Sequence, residues 1–332
     1  MNVIRHLLVA MLASTAFGVR AEPLEMPVGG GPPCLPILNG FSVLDFSMNV
    51  PPLKLNNVPV LKLLKSDFKV DAIFRYYDYP ETETTPGKTL RKPESDAILA
   101  EGYKIGTIFQ HYNNNPAKFF EPNIGTQDAH QALVMADENH QPFNSVIYFG
   151  VDGPEDNFKP LQDEYGLDKG PMSPERIAKL KEDNKLTLIK YYDLFVRYGQ
   201  QALGVSDLSK PVTPEKLYGV IDEYFKEVET AFQAYRDQHG GNGYKIGMYC
   251  TAVMCKVGER RKIEHIWLSP EGRLTQEYKD FFKTLTKVVM IQWPETSCQR
   301  WSGAPEGEVA GFDFNQVNDG NPDLGAWDHK RP

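Results

Sequence analysis

Apolar runs of five to ten residues, rich in β-branched and aromatic side chains, recur along this chain, and the stretches between them repeat their apolar positions at helical spacing. The first run, Ile37 to Phe46, is followed by a helix-like stretch from Val58 to Ser66. Next come the run Asp71 to Tyr77, a helix opened by Pro93 and Glu94 and closed by Gly102, and the run Tyr103 to Tyr112. A helix from Thr126 to Asn139 then leads into SVIYFGVD, ending at Asp152, whose near-continuous apolar character suits a strand buried on both faces. Up to that point the pattern is four βα units, and such alternation predicts a parallel sheet.

The regularity lapses from Gly153 to Pro211, a charged stretch followed by an aromatic helix candidate, read as an insertion after the fourth strand. It is either a decorated surface or a lid over a substrate. A long helix from Pro214 to His239 carries apolar residues at Leu217, Val220, Ile221, Tyr224, Phe225, Val228 and Phe232, and stops at Gly240 and Gly241. Four further strands are predicted at Tyr244 to Cys250, His265 to Ser269, Lys287 to Trp293 and Val309 to Asn315, which makes eight. The expected fold is α/β, a TIM-like (β/α) barrel forming a single domain over 37–330.

The ends of the chain add context. Arg5 and His6 precede the apolar stretch LLVAMLASTAFGV and a small-residue site at Val19-Arg20-Ala21, the pattern of an export signal spanning 1–21. That stretch is shorter than the ~20 apolar residues a spanning helix needs, so no membrane span is expected after cleavage. Residues 22–36 form a Pro/Gly-rich leader. The signal contains Arg5 and Arg20, two of the 36 basic residues, and none of the 44 acidic ones, so its removal takes the net charge from -8 to about -10. Such a balance argues against nucleic acid as a partner. A secreted or periplasmic monomer is expected.

Cys34, Cys250, Cys255 and Cys298 form an even set, which in an exported protein points to disulfides. Three pairings are open; the short loop favours Cys250 with Cys255, which leaves Cys34 with Cys298. No metal site is expected, because the histidines show no ligand spacing and the C-x4-C pair has no matching partner pair. No cofactor motif is present: there is no P-loop and no G-x-S-x-G elbow.

Candidate chemistry lies in three aspartates, Asp45, Asp152 and Asp313, each in a strand run. Acids at barrel strand ends converge on one rim, and glycan cleavage is the reaction most in need of paired carboxylates. Asp152, at the end of the most apolar strand and before Gly153 and Pro154, serves either as a general acid or as a cap of its own turn. Asp45 and Asp313 lie on the first and last strands, which closure makes neighbours, and would stabilise positive charge or activate water. Arg75 offers a fixed cation to a carboxylate, Asp45 among them, or to a substrate acid group. Tyr76, Tyr77, Gln110, Tyr148, Tyr249, Gln292, Trp293 and Asn315 sit at or near strand ends, and aromatic faces beside amide tips suit sugar rings.

Taken in order, VLDFS at Asp45, IFRYY at Arg75, the EGYKIGTIFQ run, GTQDAHQALVMA, VIYFGVD at Asp152, YKIGMYC and GFDFNQ at Asp313 resemble the secreted glycoside-hydrolase-like family of unknown function, itself similar to family-25 lysozymes. The resemblance spans about Leu38 to Asn315 apart from the insertion. It implies a barrel of five βα units plus three closing strands, with a glycan site on the rim. In those lysozymes the fourth strand ends in Asp-x-Glu, the Glu being the presumed catalytic acid. Asp152 matches the Glu position and Gly150 the Asp position. Their first-strand aspartate corresponds to Asp45, and their late Asp-x-Asn to Asp313 and Asn315. The implied activity is that of an exported glycoside hydrolase, lysozyme-like, acting on a cell-envelope glycan such as peptidoglycan by carboxylate acid/base catalysis. The alternatives are a glycan-binding protein without turnover on the same fold, and a secreted effector whose inserted helix docks a partner.

Overall fold

The computed structural model describes residues 42–55, 57–67, 69–79, 87–111, 118–119, 121–151, 178, 214–251, 254–269, 285–292, 312–318 and 320–328. The expected signal, leader and insertion, Asp152, Trp293, Cys34 and Cys298 lie outside the described residues, apart from position 178 of the insertion.

Strand β1 (Val43–Phe46) is followed by a two-stranded ribbon, β2 (Lys54–Leu55) and β3 (Val58–Pro59), and helix α1 (Val60–Ser66). Then come β4 (Ala72–Tyr77), α2 (Lys92–Ala100), β5 (Lys104–Phe109), α3 (Ile124–Glu138) and β6 (Val146–Val151). The chain continues through α4 (Pro214–Gln238), β7 (Lys245–Thr251), α5 (Cys255–Arg261), β8 (His265–Ser269), β9 (Val288–Gln292) and β10 (Phe312–Val317). β1 and β4 to β10 close into a barrel in the order β1-β10-β9-β8-β7-β6-β5-β4, so all eight runs read as strands take part.

Pairing is parallel from β1 through β4 and onward to β9, whereas β10 is antiparallel to both β9 and β1. The expectation of parallel strands is corrected at this last strand. Because β10 runs backwards, its beginning, with Asp313 as second residue, stands at the rim where the parallel strands end. Helices follow each of the first five barrel strands in the chain. The segments joining the last three strands, 270–284 and 293–311, lie outside the described residues, and the expected unit count depends on them. Helix α5 is absent from the sequence reading because its seven residues are too short to show a helical period.

Two apolar layers hold the barrel. Strand residues pointing outward pack with the helices, among them Leu44, Ile73, Phe109, Ile147, Phe149 and Phe314, against Ala129, Leu133, Tyr224 and Phe232. Those pointing inward, including Phe74, Ile108, Tyr148, Tyr249, Trp267 and Met290, fill the barrel itself. Every residue of β4 and β6 is buried, since both faces are covered.

The inner layer is tight enough to require glycine on the neighbouring strands. A Cβ at Gly106 would stand 2.2 Å from the Phe74 ring, and one at Gly247 would stand 2.5 Å from the Tyr148 ring. Gly106→Ala is therefore expected to destabilise by about 1–3 kcal/mol through overpacking, read as a lowered urea midpoint with unchanged slope. The exposed Val134, on the far side of α3, provides the control: Val134→Ala should move the midpoint little.

Residues 320–328 seal the opposite, N-terminal mouth. The Val146 amide donates to the Gly325 carbonyl, Trp327 pairs with Ile105, and the Tyr148 hydroxyl donates to the Leu324 carbonyl at 3.0 Å. At the rim side, a disulfide joins Cys250 on β7 to Cys255 at the start of α5, the pairing favoured from the short loop.

Candidate functional site

Side chains alternate along a strand, and in β1 this turns Val43 and Asp45 into the barrel while Leu44 and Phe46 face the helices. Asp45 pairs in register with Asp313, and Val43 with Asn315, on the adjacent antiparallel strand. Directly opposed residues share a face, so both aspartates and Asn315 project toward the barrel interior. Asp45 is 1% exposed, whereas Asp313 is partly exposed.

One amide ties the two carboxylates together. The Gln292 Nε2 group, at the end of β9, donates to Asp313 Oδ2 at 2.8 Å and to Asp45 Oδ2 at 3.4 Å. Asn315 Nδ2 donates to Asp45 Oδ2 at 2.8 Å, and the Tyr76 hydroxyl to Asp45 Oδ1 at 2.8 Å. The orientation of both amides is dictated from behind. The Tyr249 hydroxyl donates to Gln292 Oε1 at 2.6 Å and Trp267 Nε1 donates to Asn315 Oδ1 at 2.7 Å. With each amide oxygen occupied by a donor, each NH₂ group must face the acids.

Burial disfavours the charged form of Asp45 and raises its pKa to about 6, against the opposing pull of the bonds from Asn315, Tyr76 and Gln292 and the charge of Arg75. The carboxyl is thus poised to gain or lose a proton in mildly acidic solution. A carboxyl whose folded pKa exceeds its unfolded value of 3.8 contributes stability that is complete below about pH 4 and is lost as pH rises through about 6. Relative to Asp45→Asn, the wild type is expected to lose about 2 kcal/mol between pH 4 and pH 7, measured by urea unfolding at a series of pH values.

The structure gathers Asp45, Asp313, Asn315, Gln292, Tyr249 and Tyr76 of the expected residues, Tyr76 as a direct partner of Asp45. It sends Arg75, Tyr77 and Tyr148 elsewhere. Arg75 alternates with the inward Phe74 and Tyr76 and so faces the helix layer, where Glu94 of α2 binds its Nε at 2.7 Å and its Nη2 at 3.0 Å. Its remaining bonds go to the carbonyls of Phe46 and Gly87, and its partner is Glu94 rather than Asp45 or a ligand. Tyr77 faces the same layer and donates to Gln141 Oε1 at 2.8 Å. Tyr148 is inside the barrel but reaches down to Leu324, away from the rim. Gln110, half-buried just after β5, accepts a bond from Lys88 Nζ at 2.9 Å.

Sequence reasoning missed Trp267, Lys88 and Glu94. Trp267 stood in a predicted strand, and only the inward phase of β8 makes it a site residue. Lys88 lies in the segment after β4, where no periodic signal marks it; its ammonium sits 4.8 Å from the Tyr76 ring centroid. Among the described residues no three ligand side chains converge as a metal site, and no helix is long and apolar enough to cross a membrane.

Comparison with known proteins adds a family match. The family model of the Rv2525c-like, glycoside hydrolase-like domain matches residues 64–158, in agreement with the resemblance carried by the motifs. No curated protein matches the chain. Among solved structures, the Mycobacterium tuberculosis Tat-secreted protein Rv2525c in complex with HEPES is 14% identical. The match covers 86% of this chain and 98% of that one, with a TM-score of 0.46. An uncharacterized B. stearothermophilus protein is 12% identical over 86% of this chain and 98% of its own, with a TM-score of 0.42. The modular autolysin LytC from Streptococcus pneumoniae is 12% identical over 82% of this chain and 46% of its own, with a TM-score of 0.39.

Proposed function

We propose, for a chain whose residues 64–158 match the glycoside hydrolase-like domain, that it is an exported glycoside hydrolase acting on a cell-envelope glycan such as peptidoglycan. The observation that carries the reading is the Asp45–Asp313 pair held by the single Gln292 nitrogen at the barrel rim. The two bond lengths laid end to end fall short of the about 6.5 Å lower bound for an inverting pair and leave room for the about 5–5.5 Å of a retaining one. Because Asp45 and Asp313 stand in register, side by side on adjacent strands, this reading has them act together from one side of the substrate, with the proton for the leaving oxygen supplied from elsewhere.

Asp152 is the candidate donor, being the next residue in the chain after Val151 at the end of β6. In this mechanism the carboxyl of Asp152 protonates the glycosidic oxygen as the bond to the anomeric carbon breaks. The Asp313 carboxyl, partly exposed, faces the positive charge that develops or takes a proton from the attacking water, with Asp45 behind it. Tyr249 and Trp267, whose rings meet at 4.7 Å, hold the amides that hold the acids. The export signal read at 1–21 fits a substrate outside the cytoplasm.

A second reading, glycan binding without turnover, draws on Gly150. This residue lies within β6 where the similar lysozymes carry an acid, and glycine offers no carboxylate. Release of reducing ends from purified peptidoglycan and from chitin-type oligosaccharides separates the two. The hydrolase reading expects release by wild type and about 10²- to 10⁴-fold slower release by Asp152→Asn, with both proteins still sedimenting with the glycan. Sedimentation without release by the wild type would establish the binding reading instead, and the absence of both would remove glycans as the ligand.

A further inference from the structure

Beside the carboxylates lies a cation that the proposed chemistry has not used. Lys88 is buried, donates to the side-chain and main-chain oxygens of Gln110 at 2.9 and 3.4 Å, and holds its ammonium 4.8 Å from the centre of the Tyr76 ring. The hydroxyl of that ring donates to Asp45 Oδ1 at 2.8 Å. Lys88 thus reaches Asp45 through a single aromatic ring.

The groups around Asp45 come from several strands. β4 supplies the Tyr76 hydroxyl and, more remotely, the charge of Arg75, itself matched by Glu94 of α2. β10 supplies Asn315 and the like-charged Asp313, and β9 supplies Gln292, backed by Tyr249 of β7. Of these, the Tyr76 hydroxyl is the donor whose strength a cation on the ring face can alter.

We propose that Lys88 is a positioning residue: its ammonium over the Tyr76 ring strengthens the Tyr76 hydroxyl as a donor to Asp45 and so holds that carboxylate ionised for its part in the reaction. A cation above an aromatic face attracts the ring's π density. That attraction leaves the phenolic O–H more acidic, and hydrogen bonds to an ionised acceptor are the strong ones. Gln110, binding the ammonium by both its oxygens, sets the lysine over the ring rather than beside it. The effect on turnover rests on the hydrolase reading, while the effect on Asp45 itself does not.

Two measurements test it. The titration of the Asp45 carboxyl, followed by ¹³C NMR, should move upward by about half to one pH unit in Lys88→Met and stay near wild type in Lys88→Arg. In a Tyr76→Phe background the same lysine substitution should move it far less, because the hydroxyl that transmits the effect is gone. The acid limb of the reducing-end release profile should follow Asp45 in direction and size. Lys88→Gln gives the same readout if Lys88→Met does not fold. An Asp45 titration unchanged in these variants, an equal shift without the Tyr76 hydroxyl, or a shift in Lys88→Arg as large as in Lys88→Met would overturn the inference. If the titration moves as expected while the wild type releases no reducing ends, the inference stands and the hydrolase reading falls.

Discussion

Arg75→Ala is expected to lower the free energy of unfolding by about 3–5 kcal/mol, because it leaves the Glu94 carboxylate buried without its counter-charge. The side chains of the pair are 0% and 3% exposed, and the guanidinium meets the carboxylate through two nitrogens. Glu94 also accepts the Val50 amide at 3.0 Å, so this contact joins β4, α2 and the loop after β1. Arg75→Lys should lose a large part of the same stability, since an ammonium cannot make the forked contact and also reach the carbonyls of Phe46 and Gly87. The double change Arg75→Met with Glu94→Leu should cost much less than either single removal, because no charge is then stranded. Urea unfolding at fixed pH checks all three. Comparable losses in the double variant and in Arg75→Ala would show that the packing around the pair, and not its electrostatics, carries the effect. The fold and the site meet here, since Arg75 binds the carbonyl of Phe46, the neighbour of Asp45.

Asp152→Asn is expected to reduce kcat for reducing-end release by about 10²- to 10⁴-fold with little change in KM, the signature of losing a proton donor that acts only in the transition state. Asp313→Asn should cost about 10²- to 10³-fold, the range for removing one preorganised electrostatic group. An amide at 313 would also face the Gln292 NH₂ group donor to donor, so the rim would rearrange unless the new amide turns its oxygen inward. Steady-state kinetics on a soluble oligosaccharide measure both. A KM rise with kcat preserved would assign these acids to binding.

The three aspartates show how far the pattern of residues reaches. Adjacency of Asp45 and Asp313 followed from closure alone, since the first and last strands of a barrel must meet. Their exact opposition depends on the antiparallel course of β10, and a strand of six residues carries no mark of its direction. The phase of β4 was equally hidden. In IFRYY every residue is buried, so the alternation of polar and apolar positions that separates inside from outside in a half-exposed strand is missing. Only the position of Glu94, nineteen residues away, reveals that Arg75 and Tyr77 face the helices while Phe74 and Tyr76 face the hollow.

By itself, then, the sequence determined the alternation of strands and helices and the number of barrel strands, and it favoured the short Cys250–Cys255 bridge, because these arise from local periodicity and spacing. Tertiary structure alone decided which faces turn inward, which way the last strand runs, and how Tyr249 and Trp267 aim two amides at two acids. Those outcomes depend on contacts between residues tens to hundreds of positions apart, where burial on both sides of a strand erases the local signal and a hydrogen-bond donor is matched to its acceptor only after the barrel has closed.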